Sequence, residues 1–192
     1  MKVSREQAAA NRARVLEVAG RLFRQKGFDG IAVAEIMKGA GLTHGGFYHQ
    51  FGSKDALAAE ACAQVLAEAA AHWRKLGEGP DPLGTLVTSY LSERHRDGAG
   101  RGCAIPSLAP EAVRQPAAIR AAFTKGLEDF IDILATFVPG HSAAARRAKA
   151  LATMSGMVGA MVLARAVNDP AFSTEILQAG AQAFGRSAEA RG

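Results

Sequence analysis

Between Thr43 and Lys54 the chain gathers side chains that hydrogen-bond or carry charge: Thr43, His44, Tyr48, His49 and Lys54, with Gly45 and Gly46 among them. Hydroxyls, imidazoles and an ammonium in that order suit hydrogen bonding to base edges and pairing with phosphates. Two adjacent glycines remove the bulk that would hold a helix backbone away from a duplex. Phe47 and Phe51, four residues apart, share one helical face and can anchor it, leaving Thr43, His44, Gly46 and His49 on the other side. No comparable set exists for covalent or acid–base chemistry. There is no histidine pair at i, i+4, no Gly-x-Ser-x-Gly, no phosphate loop and no Cys/His metal spacing. His44 and His49 are five apart, awkward for one metal. The reading is a chain that is not an enzyme and takes neither metal nor cofactor.

The elements that must position these groups are legible on either side. Ile36 and Met37 give a short helix an apolar face, and Ala40-Gly41-Leu42 supplies a turn in which Gly41 is free to take a positive φ. Thr43 is placed to cap the next helix through its hydroxyl. Two short helices joined by a glycine-containing turn, the second showing small and polar groups outward, form a helix-turn-helix. Lys54 opens the following helix after Gly52-Ser53.

These residues resemble the N-terminal domain of the TetR/AcrR family of transcriptional regulators. The resemblance rests on Leu22-Phe23, Gly27-Phe28, Ala40-Gly41-Leu42, Thr43, Gly45-Gly46, Phe47-Tyr48, His49, Phe51, Ser53-Lys54 and Leu57, and spans residues 11–60. It implies an all-α protein: a three-helix helix-turn-helix DNA-binding domain over 1–53, then a larger helical effector-binding and dimerisation domain over 54–192. By the same resemblance the chain would be a homodimer through its last two helices. It would repress transcription from a palindromic double-stranded operator and be released by a small-molecule effector. Arg12, Ala32, Thr43, His44, Gly45, Gly46, Phe47, Tyr48, His49 and Lys54 would form the DNA-binding set, and Arg5 and Arg14 could reach the backbone. Two departures stand out. Ala32 lies where the family has a capping Ser or Thr, an omission worth about 1 kcal/mol. His44 and Gly46 replace other usual residues, so base preference need not follow a relative's.

Charge supports a nucleic-acid partner. Residues 1–54 carry nine Lys/Arg against four Asp/Glu, whereas residues 55–192 carry fourteen of each. The whole excess of +5 thus sits on the segment with the helix-turn-helix, as phosphate binding requires. A solvated basic face without a partner would show the same asymmetry. Abundant alanine and few β-branched or aromatic residues favour helix. Cys62 and Cys103 are far apart, which suits a reducing cytoplasm rather than a disulfide framework. The chain opens with a polar, basic stretch instead of a signal peptide. Its longest uncharged run, Ala150 to Ala164, is shorter than the ~20 residues that span a bilayer, so a helix buried between helices is expected and no membrane partner.

Along the chain, a first helix runs from Lys2 to Lys26 and a long one from Ser53 to Leu76. Gly77 to Gly84 breaks them from the body. Asp97 to Cys103 is glycine-rich but lacks a phosphate-loop pattern, and a mobile loop is expected. An amphipathic helix carries Ile119, Phe123, Leu127, Phe130 and Leu134, and two more follow, the first with Met154, Met157 and Met161. Trp73, Tyr90, Cys103, Phe123, Leu127, Met157 and Met161 form the candidate effector set. Each has a bland alternative: Trp73 as core anchor, the methionines as core or dimer seam, Cys103 as a small packing residue. Cys103 also opens a redox-sensing reading, and a sealed body would favour a constitutive DNA binder.

Overall fold

The computed structural model describes residues 4–185; among them are ten α-helices, two short 3-10 turns and no strand. Helix α1 (Arg5–Lys26) begins where the Ser4 hydroxyl accepts the Gln7 N–H. The expected start at Lys2 lies outside the described residues. Helix α2 (Val33–Gly39) follows the Gly27–Gly30 turn. Ala32 stands at its N-cap with extended backbone and no side chain to bond the free N–H groups.

At the end of α2, Gly41 takes φ +68°. There the Leu42 N–H donates to the Met37 carbonyl and the Gly41 N–H to the Lys38 carbonyl, the paired bonds that terminate a helix at a left-handed residue. The next helix differs from expectation in its first turn. Thr43 occupies the N-cap position but its hydroxyl makes no capping bond. Residues His44–Gly46 form a 3-10 turn, and only Phe47–Phe51 are α-helical (α3). Two adjacent glycines give a helix little reason to begin earlier, since they lose the most backbone freedom on ordering.

Helix α4 (Lys54–Leu76), capped by the Ser53 hydroxyl on the Ala56 N–H, belongs to two cores at once. Its N-terminal half buries Leu57, Ala58 and Ala61 against α1, and its C-terminal half buries Leu66, Ala70 and Trp73 in the body. The body continues with α5 (Pro82–Tyr90), α6 (Glu93–Asp97), a 3-10 turn over Ala99–Arg101, α7 (Ala104–Ala112), α8 (Ala117–Phe137), α9 (Ala143–Ala166) and α10 (Pro170–Phe184). The densest packing is α4 against α8. Trp73 lies over Phe130 at 4.5 Å between ring centres, and Gly126 lets the backbones approach.

Two expectations are corrected here. The stretch from Asp97 to Cys103 is not a free loop: it is one end of α6 plus a 3-10 turn docked on α1, with Gly100 buried. The uncharged run in α9 is not enclosed on all sides, for Leu151 and Leu163 are 44% and 58% exposed on its outer face. No described helix is long and apolar enough to cross a membrane.

A methyl group at Gly126 would stand 2.7 Å from Leu66 Cβ. Gly126→Ala gains about 1 kcal/mol of helix propensity but overpacks a core site at ~1–3 kcal/mol, so a net loss is expected. A lowered urea midpoint at unchanged m-value checks it.

Candidate functional site

The exposed side of residues 43–49 is built on two buried rings. Phe47 is fully buried and Phe51 nearly so, stacked at 5.8 Å between centres. Phe47, placed by resemblance in the DNA-binding set, therefore anchors the helix from within. Thr43, His44, Gly45, Tyr48 and His49 face solvent, with Tyr48 63% exposed. Gly46 and Lys54 are half-buried at the margin of this face. A Cβ at Gly45 would meet nothing within 4 Å, and one at Gly46 only Gln50 Nε2 at 3.9 Å. Small residues here serve no packing need; they leave the surface low. Ala32 is exposed at the start of α2.

Arg12 is not a free cation. Its Nη2 donates to Glu60 on α4 at 2.6 Å, and the guanidinium lies 4.6 Å from the centre of the Phe51 ring. It ties α1 to α4 and braces α3 from behind. Arg14 reaches the Ala40 carbonyl with a long 3.4 Å bond. Gln50 escaped the sequence reading: its Oε1 is buried in α3 without a hydrogen-bond partner among the described residues. Its signal was only its place between the two anchoring phenylalanines.

The candidate effector residues separate into two groups. Trp73, Tyr90 and Cys103 line one cleft of about 600 Å³ in the body. The others lie elsewhere. Phe123 packs edge-on against Phe28 of the head at 6.5 Å, Leu127 is 37% exposed on the outside of α8, and Met157 and Met161 are fully buried in the core along α9. Helical periodicity marks all of them apolar but does not say which face meets a cavity. Arg24, His72, Arg94 and Arg101 join the cleft from three helices and a turn. No local pattern announces a set so dispersed in sequence.

One wall of the cleft, residues 95–103, is strapped at both ends. Arg24 of α1 donates through Nε and Nη2 to the Gly100 carbonyl at 3.0 and 2.6 Å. Arg165 of α9 donates to the His95 carbonyl, the Arg96 carbonyl and the Ser107 hydroxyl. Between them the His95 ring accepts the Cys103 N–H at Nε2 (3.0 Å) and lies 2.7 Å from the Tyr90 carbonyl at Nδ1. These partners require the neutral tautomer with the proton on Nδ1. Burial lowers the imidazole pKa, against an opposing contribution from the Tyr90 carbonyl bond. Burial raises the Cys103 thiol, pushes Cys62 up to about 12, and holds the Tyr90 hydroxyl well above the phenol range.

An all-helical chain in which a small glycine-turned helix pair presents a polar face, and one long helix joins it to a body with a cleft, defines a helix-turn-helix protein with an appended helical domain. Residues 15–61 match the family model of bacterial regulatory proteins, tetR family. The HTH-type transcriptional regulator UidR of Escherichia coli K12 is 29% identical over 110 residues, 57% of this chain and 56% of UidR. The HTH-type transcriptional repressor NemR of the same organism is 29% identical over 131 residues, 64% of each chain. The aligned part thus spans little more than half the length of UidR. Over nearly the whole chain, the reduced form of E. coli NemR shares the fold with TM-score 0.77 at 23% identity, covering 91% of this chain and 94% of that one. A TetR-family transcriptional regulator from Agrobacterium tumefaciens gives 0.75 at 23% identity, covering 92% and 98%. The matches support a TetR-family transcriptional regulator, with the family's own N-terminal domain at residues 15–61 and the family fold over the rest.

The lowered His95 pKa makes a pH dependence. A neutral His95 in the fold contributes stability above the ordinary imidazole value of about 6.5, and that stability is lost as pH falls through the lowered folded value. Unfolding free energy measured from pH 7.5 down to 5 should fall, and His95→Gln should flatten that slope.

Proposed function

We propose that the chain is a dimeric transcriptional repressor that reads operator DNA with residues 43–54 and lets go when a small molecule enters the body cleft. The observation that carries this reading is the Phe47/Phe51 anchor, which leaves Thr43, His44 and His49 outward over a surface kept low by Gly45 and Gly46. A 3-10 first turn directs its N–H groups forward, where the major groove would receive Thr43 and His44. Tyr48, His49 and Lys54 would hold phosphates and fix register. The positive balance of residues 1–54 supports the same partner. We divide the chain into a DNA-binding unit over 1–53 and an effector and dimerisation unit over 54–192, acting in the cytoplasm.

Dimerisation is supported by the outer faces of α9 and α10. Leu151, Leu163 and Phe172 are 44%, 58% and 49% exposed, and a Cβ at Gly159 would meet nothing within 4 Å. Two copies meeting there would form a four-helix seam and hold two heads at a fixed distance. Successive major grooves lie about 34 Å apart, so a change in that distance abolishes binding without touching the reading residues. The body is hollow rather than sealed, which favours an inducible regulator over a constitutive one. The redox alternative has some support, since Cys103 stands at the N-cap of α7 with Arg24 and Arg165 acting to lower its pKa, but burial outweighs them. Cys103 is buried, its thiol is harder to ionise than a free one, and reactive thiols need the opposite.

Gel shifts on DNA from beside the coding gene test the reading. Lys54→Ala should weaken binding by a similar factor on every sequence and lower the salt slope by about 1. Gly46→Leu should fold normally, having room, yet reduce binding by at least ~100-fold, or about 2.7 kcal/mol. If neither change alters binding, residues 43–54 are not the reading element. Cys103 should resist thiol reagents in the native protein and react once urea unfolds it. Rapid native labelling would restore the redox alternative.

A further inference from the structure

The cleft that the proposed function assigns to an effector has a chemical character of its own. Its floor is apolar and aromatic: Trp73 is 5% exposed and meets the Tyr90 ring edge-on at 6.0 Å, beside Leu86. Its wall and rim are cationic. Arg24, Arg94 and Arg101 line it against a single acidic residue, Glu68. None of the three arginines pairs with a carboxylate among the described residues. Arg94 and Arg101 belong to residues 55–192, which are electrically balanced, so their gathering at one cavity is local, and Arg24 is added to them from the basic segment 1–54. Arg24 is half-buried, and only a backbone carbonyl accepts from it. A second weakly met demand points the same way: the Tyr90 hydroxyl is buried in the cleft wall with no oxygen or nitrogen partner among the described residues and only the Cys103 thiol, a weak partner, beside it.

We propose that this cleft binds an organic anion, a flat apolar body carrying one carboxylate, with the body over Trp73 and the carboxylate among Arg24, Arg94, Arg101 and the Tyr90 hydroxyl. The inference rests on the effector reading above and narrows it to a ligand class. A guanidinium fork matches a carboxylate through two parallel N–H···O bonds, and such bonds strengthen where water is excluded. A neutral ligand of the same shape would bury the floor equally well but forgo the charge-assisted bonds that the arginines offer a carboxylate. About 600 Å³ accommodates a molecule of two or three fused rings with room for water. Arg24 gives the anion a route to the head. It belongs to α1, and a carboxylate drawing on its guanidinium competes with the Gly100 carbonyl that now fastens α1 to the cleft wall.

The test is calorimetric, with 2-naphthoate and its neutral isostere 2-naphthamide titrated into the full-length protein. Naphthoate should bind at least about tenfold tighter than the amide, the scale of one charge-assisted pair. In Arg94→Gln/Arg101→Gln, two exposed positions where folding is not at stake, the preference should shrink to about threefold or less. Tyr90→Phe should weaken naphthoate more than naphthamide. Equal affinity for the two ligands, no naphthoate binding, a preference that survives in the double variant, or inorganic phosphate binding as tightly as naphthoate would each overturn the inference. Gel shifts on the same samples separate it from the reading beneath it. Failure of the ligand-free protein to bind its adjacent DNA sinks the regulator assignment while the calorimetric preference stands. Release of DNA by both ligands alike upholds the regulator and rejects the anion.

Discussion

One continuous helix holds the molecule together. Helix α4 runs 23 residues, roughly 34 Å at 1.5 Å per residue, and donates its first half to the core of the head and its second to the core of the body. A helix of that length with an unbroken hydrogen-bond ladder is stiff. Leu57 and Ala61 cannot shift against α1 without Leu66 and Trp73 shifting against α8. The apolar faces that stabilise each unit are thus the same faces that join them.

Around that rod the chain adds polar fastenings, several of which join a charged side chain to backbone rather than to another charge. Arg24 holds the Gly100 carbonyl, Arg165 holds the carbonyls of His95 and Arg96, and the Phe28 N–H of the head donates to Glu111 of α7 at 2.9 Å. Half-buried arginines bonded to carbonyls keep their charge uncompensated. That arrangement is weak as a source of stability and well suited to rearrangement, because a stronger acceptor can displace a carbonyl oxygen. By contrast the Arg12–Glu60 pair with Phe51 is a closed unit that needs nothing from outside.

Much of the head was legible before any coordinates. Gly41 at φ +68° and the stacking of Phe47 on Phe51 follow from spacing and from the one residue that tolerates that backbone. The uncapped N-terminus of α2 followed from Ala32 alone. What escaped the reading depended on partners distant in sequence. Arg12 looked like a free cation because Glu60, 48 residues on, is invisible to local pattern. Asp97 to Cys103 looked mobile because its docking surface is α1. In the body the apolar periodicity marked the long helices α8, α9 and α10, while α6, Glu-Arg-His-Arg-Asp, has no apolar residue to announce it. Yet the choice between cavity and core for Phe123, Leu127, Met157 and Met161 turns on how helices are rotated against each other, which a period of 3.6 leaves open. The cleft's arginines went unnoticed for the same reason.

The emptiness around Gly45 and Gly46 has a consequence for how such a surface can change over generations. Nothing in the protein rests on either position. On the proposed reading, new side chains there would be judged by the duplex, with no penalty from the interior. Phe47 and Phe51, locked one helical turn away, would keep the scaffold constant throughout. Target preference is therefore free to drift while foldability stays put, a separation that lets one architecture be retuned for many promoters.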